Sequence, residues 1–305
     1  MKLGKLRRRQ GQGGVIDRRA QGATGGSVTS SPGLGGIPMG RGGMGIGGII
    51  LLLVVVFVVP RCLGQAGFDG LGGALDPFQD AGVVAPGSEQ EVDPQDPTAK
   101  FAEAVLEDVQ FVWDDIFERS GLTYEETTIV LFRGSTSSGC GRASSATGPF
   151  YCPPDGLVYL DLSFFKELET TFGAGGDFAQ AYVIAHEVAH HVQTLLGTNA
   201  EVQRLTRDDP SLANELSVRL ELQADCFAGV WARSAQGAGI LSPRDLEEGL
   251  NAAAAIGDDR IQEATTGRID PESFTHGTSE QRVRWLRTGV QVGNPDACDT
   301  FAGDI

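Results

Sequence analysis

The sequence has few of the residues from which metal and nucleic-acid sites are commonly built. It contains four histidines and five cysteines in 305 residues, and no two cysteines form a Cys-x-x-Cys pair. A structural zinc knuckle is therefore disfavoured. Basic residues are scarce beyond the amino terminus, because residues 1–41 hold eight of the 24 Lys and Arg residues but only one of the 40 Asp and Glu residues. The rest of the chain is strongly acidic, which argues against nucleic acid as a partner.

Aromatic residues are absent from the first 48 residues, which contain 16 of the 43 glycines. A stretch of this composition cannot bury a core, so we expect residues 1–41 to form a disordered, basic, cytoplasmic tail. Residues 61–96 are rich in Gly, Pro, Asp and Gln without an apolar period, which predicts a flexible linker. Ordered structure is thus expected in residues 97–305.

An apolar run separates the tail from the linker. Counted from Gly42, it reaches 18 residues before Pro60, just enough to cross a bilayer of about 30 Å. Because the Lys and Arg excess precedes the run, we expect residues 42–60 to be an uncleaved transmembrane anchor, with the amino terminus in the cytoplasm and the folded domain outside. A cleaved signal peptide would have a shorter basic region, and a lipoprotein would have a small residue where Arg61 precedes Cys62.

Cysteine spacing is compatible with an exported domain. Cys140 and Cys152 are close in sequence, whereas Cys226 and Cys298 are far apart. In an oxidising compartment the natural pairing is 140 with 152 and 226 with 298, which leaves Cys62 unpaired. Other connectivities are possible, and free thiols packed as small hydrophobic groups are an alternative.

Helical signals outnumber strand signals, which predicts an α+β fold that is mainly helical with a small sheet. Two β-branched or apolar runs predict strands, at 127–132 and 157–162. Helix starts are expected where capping residues precede apolar stripes: Asp96-Pro97, Ser163, Ser242-Pro243 and Thr278, with a long helix from about Ser211 to Gln236.

One largely apolar stretch, residues 181–191, contains His-Glu-x-x-His. On a helix, His186 and His190 are about 40° apart on one face and can bind the same ion. Asp177 is the expected N-cap and Gly197 the residue that ends this helix. An apolar helix should not bury such polar groups without partners, and Zn²⁺ would take both imidazoles as ligands. His191 is interpreted as a surface residue or as a residue that contacts the ligands without binding the metal itself.

A catalytic zinc needs a third protein ligand and an open position. The long predicted helix carries Glu221 and, one turn later, Asp225. Glu221 would complete the ligand set, and Asp225 would accept the free ring N–H of a ligand histidine. The alternative is that both acids lie on a solvated helix face, but the apolar residues around them favour an inward orientation. His276, the remaining histidine, is a candidate donor to a developing oxyanion; a structural turn residue is the alternative.

Several motifs together resemble those of a known family. His-Glu-Val-Ala-His at 186–190 with Glu221-x-x-x-Asp225 is similar to the gluzincin arrangement of zinc peptidases. Gly-Cys-Gly at 139–141, Gly-Pro-Phe-Tyr-Cys-Pro at 148–153, Glu-Leu-Gln-Ala-Asp-Cys-Phe-Ala-Gly at 221–229 and Thr-His-Gly-Thr-Ser-Glu-Gln-Arg at 275–282 resemble the bacterial, membrane-anchored neutral zinc metallopeptidases. The resemblance covers residue 100 to the carboxyl terminus. It implies a zincin-like peptidase fold with one zinc per chain, but no particular substrate.

The expected function is zinc-dependent hydrolysis of peptide bonds outside the membrane. Glu187, beside the first ligand, would act as general base towards the zinc-activated water. An extended peptide or protein substrate would add a strand along an edge formed by Val158–Asp161. Two alternatives are a zinc-bound scaffold without activity and a zinc amidase acting on cell-wall peptides. Retention of Glu187 disfavours the scaffold, whereas the amidase needs the same residues.

Overall fold

The structure is a computed structural model that describes residues 1–7, 14–20 and 96–305. The expected anchor at 42–60 and the linker up to residue 95 lie outside the described residues, as does Cys62. Within the described ranges, no helix combines the length and apolar character required to cross a bilayer.

Helices dominate residues 96–305, and the α+β prediction is confirmed. Eight α-helices are present in this range: α1 Pro97–Arg119, α2 Ser163–Thr170, α3 Asp177–Leu195, α4 Thr198–Asp208, α5 Ala213–Gly237, α6 Pro243–Ala255, α7 Asp258–Thr266 and α8 Ser279–Val292.

Several helix boundaries follow from local capping chemistry. The Asp96 carboxylate accepts the N–H groups of Thr98 and Ala99 at the start of α1, while Ser242 and Thr278 form capping boxes at the starts of α6 and α8. These predicted starts are confirmed, because the side chains satisfy N–H groups that the first turn leaves free.

Three local predictions need correction. The N-cap of α3 is Gly176, so Asp177 is the first helical residue rather than the cap. Leu162, not Ser163, precedes α2 as its N-cap. The long helix α5 begins at Ala213, because a 3-10 turn, Pro210–Leu212, comes before it.

The main sheet has four strands in the order β1-β2-β6-β5, from β1 Val15–Asp17, β2 Thr128–Phe132, β5 Phe150–Cys152 and β6 Leu157–Asp161. Strands β1, β2 and β6 are parallel, and β5 runs antiparallel to β6 with Tyr151 opposite Val158. A separate hairpin joins β3 Ser135–Ser138 to β4 Gly141–Ser144.

The expected substrate edge at Val158–Asp161 is wrong. Those residues belong to β6, which is hydrogen-bonded to β2 on one side and to β5 on the other. The described strand at this edge of the sheet is β5. The order of strands depends on pairing between distant segments, which the apolar pattern of one strand does not specify.

Both expected disulfides are present. Cys140 pairs with Cys152, which joins the tip of the β3–β4 hairpin to β5. Cys226 pairs with Cys298, which joins α5 to the carboxyl-terminal segment.

The expected disorder of residues 1–41 is wrong for residues 1–7 and 14–20. Val15–Asp17 forms strand β1 on β2, and the Arg7 side chain binds Asp108 of α1. Leu6 and Val15 pack against the main hydrophobic core. This segment lacks a core of its own but is ordered by contacts with residues more than one hundred positions away.

Helix α3 lies at the centre of the domain, in contact with α1, α5, α6 and strands β5 and β6. Helices α5 and α8 meet at two glycines: a Cβ on Gly289 would lie 2.0 Å from the Cys226 carbonyl oxygen, and one on Gly229 would lie 2.3 Å from the Leu286 carbonyl oxygen. Only glycine permits this backbone contact, which brings α8 against the part of α5 that carries Glu221 and Asp225.

Candidate metal centre

Three ligand-type side chains from two helices converge at the contact between α3 and α5. One ligand atom from each of His186, His190 and Glu221 lies within 4.8 Å of the others. His186 Nε2 is 3.1 Å from Glu221 Oε2, and His190 Nε2 is 3.4 Å from Glu221 Oε1. The helical spacing places both imidazoles on one face of α3, and α5 brings the carboxylate against them.

Both histidines are oriented by acceptors at Nδ1. Asp225 Oδ1 is 2.9 Å from His186 Nδ1, and Gln193 Oε1 is 2.8 Å from His190 Nδ1. Because a carboxylate and an amide oxygen accept, each Nδ1 carries the proton that it donates, which makes Nε2 the ligand atom of the neutral ring. The two Nε2 atoms face Glu221, so the donor set fits a metal ion that prefers nitrogen and carboxylate ligands.

Asp225 is the centre of a buried network. It has no solvent exposure and accepts hydrogen bonds from Tyr182 Oη at 2.5 Å and from Arg282 Nε at 2.9 Å, in addition to His186. A second Arg282 nitrogen, Nη2, lies 3.0 Å from Asp225 Oδ1. The carboxylate on α5 is therefore held between a histidine of α3 and an arginine of α8, which fixes the orientation of the His186 ring.

The buried acids and histidines shift each other's pKa values in opposite directions. Burial alone would lower the pKa of His186, but hydrogen bonds and charges from Asp225 and Glu221 outweigh it and raise the pKa to about 10. Burial would raise the pKa of Glu221, but His190 and His186 hold it well below its usual range. Without a metal ion, His186 thus carries a proton that an incoming metal must displace.

Glu187 is buried on α3 beside the three converging side chains, with 8% of its surface exposed. Burial raises the pKa of its carboxyl, an effect that His186 and His190 partly offset; the backbone of Tyr151 on β5 lowers it further. The backbone of Tyr151 is therefore a hydrogen-bond partner of the Glu187 carboxylate and links it to strand β5.

His191 is buried, so its interpretation as a surface residue is wrong. Its Nε2 donates to the Glu125 carbonyl at 2.6 Å, and its Nδ1 accepts from the Tyr151 hydroxyl at 3.2 Å. These bonds connect α3 to the loop before β2 and to β5, and His191 is not one of the three converging ligand-type side chains.

His276 lies in the loop before α8, with 40% of its side chain exposed. Asp258 holds this loop, because its carboxylate accepts the N–H groups of Thr275, His276 and Gly277 at 2.8, 2.6 and 3.1 Å. Burial would lower the pKa of His276, but Asp258 and Glu221 raise it. Glu221, one of the three converging side chains, is thus among the charges that raise the pKa of His276.

Four of these supporting residues were not assigned a role from the sequence: Tyr182, Gln193, Asp258 and Arg282. Gln193 could have been found, since it stands three residues after His190 and hence on the same helix face. Arg282 and Asp258 approach their partners only through the fold, and no sequence spacing indicates them.

The chain is similar to one protein family and to several bacterial proteins. A family model described as "Putative neutral zinc metallopeptidase" matches residues 4–301. The uncharacterized protein YpfJ of Escherichia coli K12 is 46% identical over 296 residues, covering 95% of this chain and 96% of that protein. The uncharacterized protein Rv2575 of Mycobacterium tuberculosis H37Rv is 48% identical over 190 residues, covering 59% of this chain and 64% of that protein. No solved structure matches significantly.

Proposed function

Because the chain belongs to this neutral zinc metallopeptidase family, we propose that it is a zinc-dependent peptidase with one zinc held by His186, His190 and Glu221. The observation that carries the proposal is the convergence of two histidine Nε2 atoms on one carboxylate, with both Nδ1 atoms engaged behind them. A scaffold without activity would need the ligands but would not need Glu187, a buried carboxylate beside them.

The chain's own residues supply the proton transfers and the charge stabilisation. When bound, zinc supplies a Lewis acid that acidifies a water molecule and polarises the scissile carbonyl. Glu187 takes the proton of the attacking water and delivers it to the leaving nitrogen; its burial raises its pKa and makes it a stronger base. His276, positioned by Asp258, donates to the developing oxyanion.

The position of β5 supports a peptide as the substrate. Among the described strands, none pairs with the outer edge of Phe150–Cys152, and the backbone of Tyr151 lies next to Glu187. An extended chain that adds to this edge runs past the metal ligands, so its carbonyl groups come close to Glu187. Cys152 is disulfide-bonded to the hairpin, which holds the edge strand in place.

We propose that the domain lies outside the cytoplasm. The support is chemical: two disulfides, Cys140–Cys152 and Cys226–Cys298, are stable in an oxidising compartment. The apolar run at 42–60 is the segment through which the chain would contact the lipid bilayer.

The test compares the full-length protein with Glu187→Gln and with a control, Asp177→Asn, which removes an exposed carboxylate from the same helix. Bound zinc is measured by mass spectrometry of the metal, and cleavage is measured on a labelled unfolded protein and on cell-wall stem peptides. About one zinc in all three proteins, with cleavage lost by at least 100-fold only in Glu187→Gln, is the expected result.

The other outcomes discriminate among the alternatives. Cleavage of the stem peptides alone would favour the cell-wall amidase over the general peptidase as the function of the protein. Zinc in all three proteins without cleavage of either substrate would favour the scaffold. Equal cleavage by Glu187→Gln and wild type would refute the role of the carboxylate, and absence of zinc from metal-replete protein would refute the proposal as a whole.

A further inference from the structure

The amino-terminal residues 1–7 and 14–20, hereafter the N-terminal strap, form part of the domain that carries the metal-ligand group. The strap supplies β1, whose residues Val15, Ile16 and Asp17 pair with Ile129, Val130 and Leu131 of β2. The pairing with β2 extends beyond both ends of β1, since the Gly14 carbonyl accepts from the Ile129 N–H at 3.0 Å and the Arg18 N–H donates to the Leu131 carbonyl at 2.7 Å. Without the strap, β2 would be an exposed, apolar edge strand.

The strap also neutralises a buried charge. Asp108 of α1 has no exposed surface. Arg7 reaches it through its backbone N at 2.7 Å, its Nε at 2.8 Å and its Nη2 at 3.1 Å. Trp231 Nε1 donates to the same carboxylate at 2.9 Å. In the part of the chain that the structure describes, Arg7 is the cation paired with Asp108, and a buried carboxylate left without its cation is strongly destabilising.

The described residues on the two sides of the gap at 21–95 are in contact. Arg19, near the end of the strap, binds Asp17 and contacts the carboxylate of Asp96, 77 residues later. Asp96 is also the N-cap of α1. Arg19 holds the pKa of both carboxyls below their usual values. The end of the strap and the start of α1 are therefore in direct contact.

We infer that residues 1–7, 14–20 and 96–305 fold as one unit in one compartment, and that the strap is an obligatory part of the metallopeptidase domain. The family match supports this unit, because it runs from residue 4 to residue 301. A single passage through a membrane between residues 20 and 96 would place Arg19 and Asp96 about 30 Å or more apart, although their side chains touch. The arrangement with a cytoplasmic amino terminus and an external domain is incompatible with the docked strap.

The test is a cross-link in the full-length protein in its native membrane fraction. Arg19→Cys with Asp96→Cys places two thiols at the observed contact, in a Cys62→Ser background that removes the remaining unpaired cysteine. Arg19→Cys with Asp115→Cys is the matched control, since Asp115 is exposed and about five turns along α1 from residue 96. After mild oxidation, accessible thiols are counted from the gel shift produced by a maleimide polymer in denaturant.

The expected result is that most Arg19→Cys/Asp96→Cys protein resists labelling until a reductant is added, whereas the control pair is labelled at both positions. Equal labelling of the two pairs would overturn the shared compartment. It would mean that the strap and the domain are held apart by the membrane.

A second measurement tests the strap as a stabilising element without depending on the membrane. Thermal unfolding of purified full-length Arg7→Ala is compared with Lys5→Ala, which removes a neighbouring strap cation that has no bond to Asp108. We expect Arg7→Ala to lower the Tm by roughly 10 °C and Lys5→Ala by no more than about 2 °C. If Arg7→Ala does not fold, Arg7→Ala with Asp108→Asn should restore folding, because the buried charge is gone. A Tm for Arg7→Ala equal to that of Lys5→Ala would overturn the inference.

Discussion

Arg282→Met is the substitution that tests most sharply how the fold supports the metal ligands. Arg282 is 2% exposed and makes two bonds to Asp225, which is fully buried and also accepts from His186. Methionine retains much of the apolar side-chain volume but leaves Asp225 without its cation. Removal of one partner of a buried pair typically destabilises by about 3–5 kcal/mol. Because Tyr182 and His186 still donate to Asp225, we expect the lower end, about 3 kcal/mol, or roughly 10 °C in Tm.

Metal binding should weaken in the same variant. Loss of a group that orients a ligand commonly lowers metal affinity by about 10- to 100-fold, and Arg282 acts on His186 through Asp225. The pH dependence has a definite sign. Burial raises the pKa of Asp225, whereas Arg282 and His186 lower it. The net result is a pKa below the ordinary value of 3.8. The contribution of this group to stability is present above its ordinary pKa and is lost as the pH falls through the folded-state value. Arg282→Met should have less of that contribution to lose.

The assay is urea unfolding of metal-free and zinc-loaded protein at pH 7, combined with a chelator competition for zinc. Arg287→Met is the matched control, because Arg287 is exposed on the same helix and should change stability by less than about 0.5 kcal/mol. If Arg282→Met and Arg287→Met had equal stability and equal zinc affinity, the buried network would not support the site.

Three further results are expected. Gln193→Ala should lower zinc affinity by roughly 10-fold, because His190 loses the acceptor of its Nδ1 proton; unchanged affinity in a chelator competition would contradict this. Zinc binding to metal-free protein should release about one proton and strengthen as the pH rises from about 7 to 9, because the pKa of His186 is about 10; calorimetry in buffers of different ionisation enthalpy would detect the proton, and no buffer dependence would exclude it. Replacing Cys226 and Cys298 by alanine opens a disulfide that spans 72 residues and should lower the free energy of unfolding by about 4 kcal/mol; a loss below about 1 kcal/mol in urea unfolding would contradict the estimate.

Features that depend on neighbouring residues could be predicted from the sequence. The capping residues Asp96, Ser242 and Thr278 lie next to the helices that they start, and the two histidines are one helical turn apart. The role of Glu221 as a ligand could be predicted because the apolar residues around it on one helix indicate that it points inward. In each case the physical cause lies within a few turns of chain.

Features that depend on distant residues could not be predicted in this way. Strand β5 is three residues long and follows a Gly- and Ser-rich hairpin, so its apolar pattern is too short to recognise. The strap has no apolar core of its own, and its order comes from Arg7 and Asp108, which are 101 residues apart. Arg282 is 57 residues from Asp225, and the packing of α8 on α5, with its close approach at Gly229 and Gly289, brings them together. These contacts are products of the fold rather than of local sequence.

The most direct test of a zinc peptidase centred on His186, His190 and Glu221 is a titration of metal-free, full-length protein with zinc, with bound metal and peptide cleavage followed in parallel. We predict that cleavage rises linearly and reaches its maximum at about one zinc per chain. In Glu221→Gln, tight binding and cleavage should both be lost, while Glu215→Gln, an exposed position on the same helix, should behave as wild type. Cleavage by metal-free protein, or full activity in Glu221→Gln, would contradict the account.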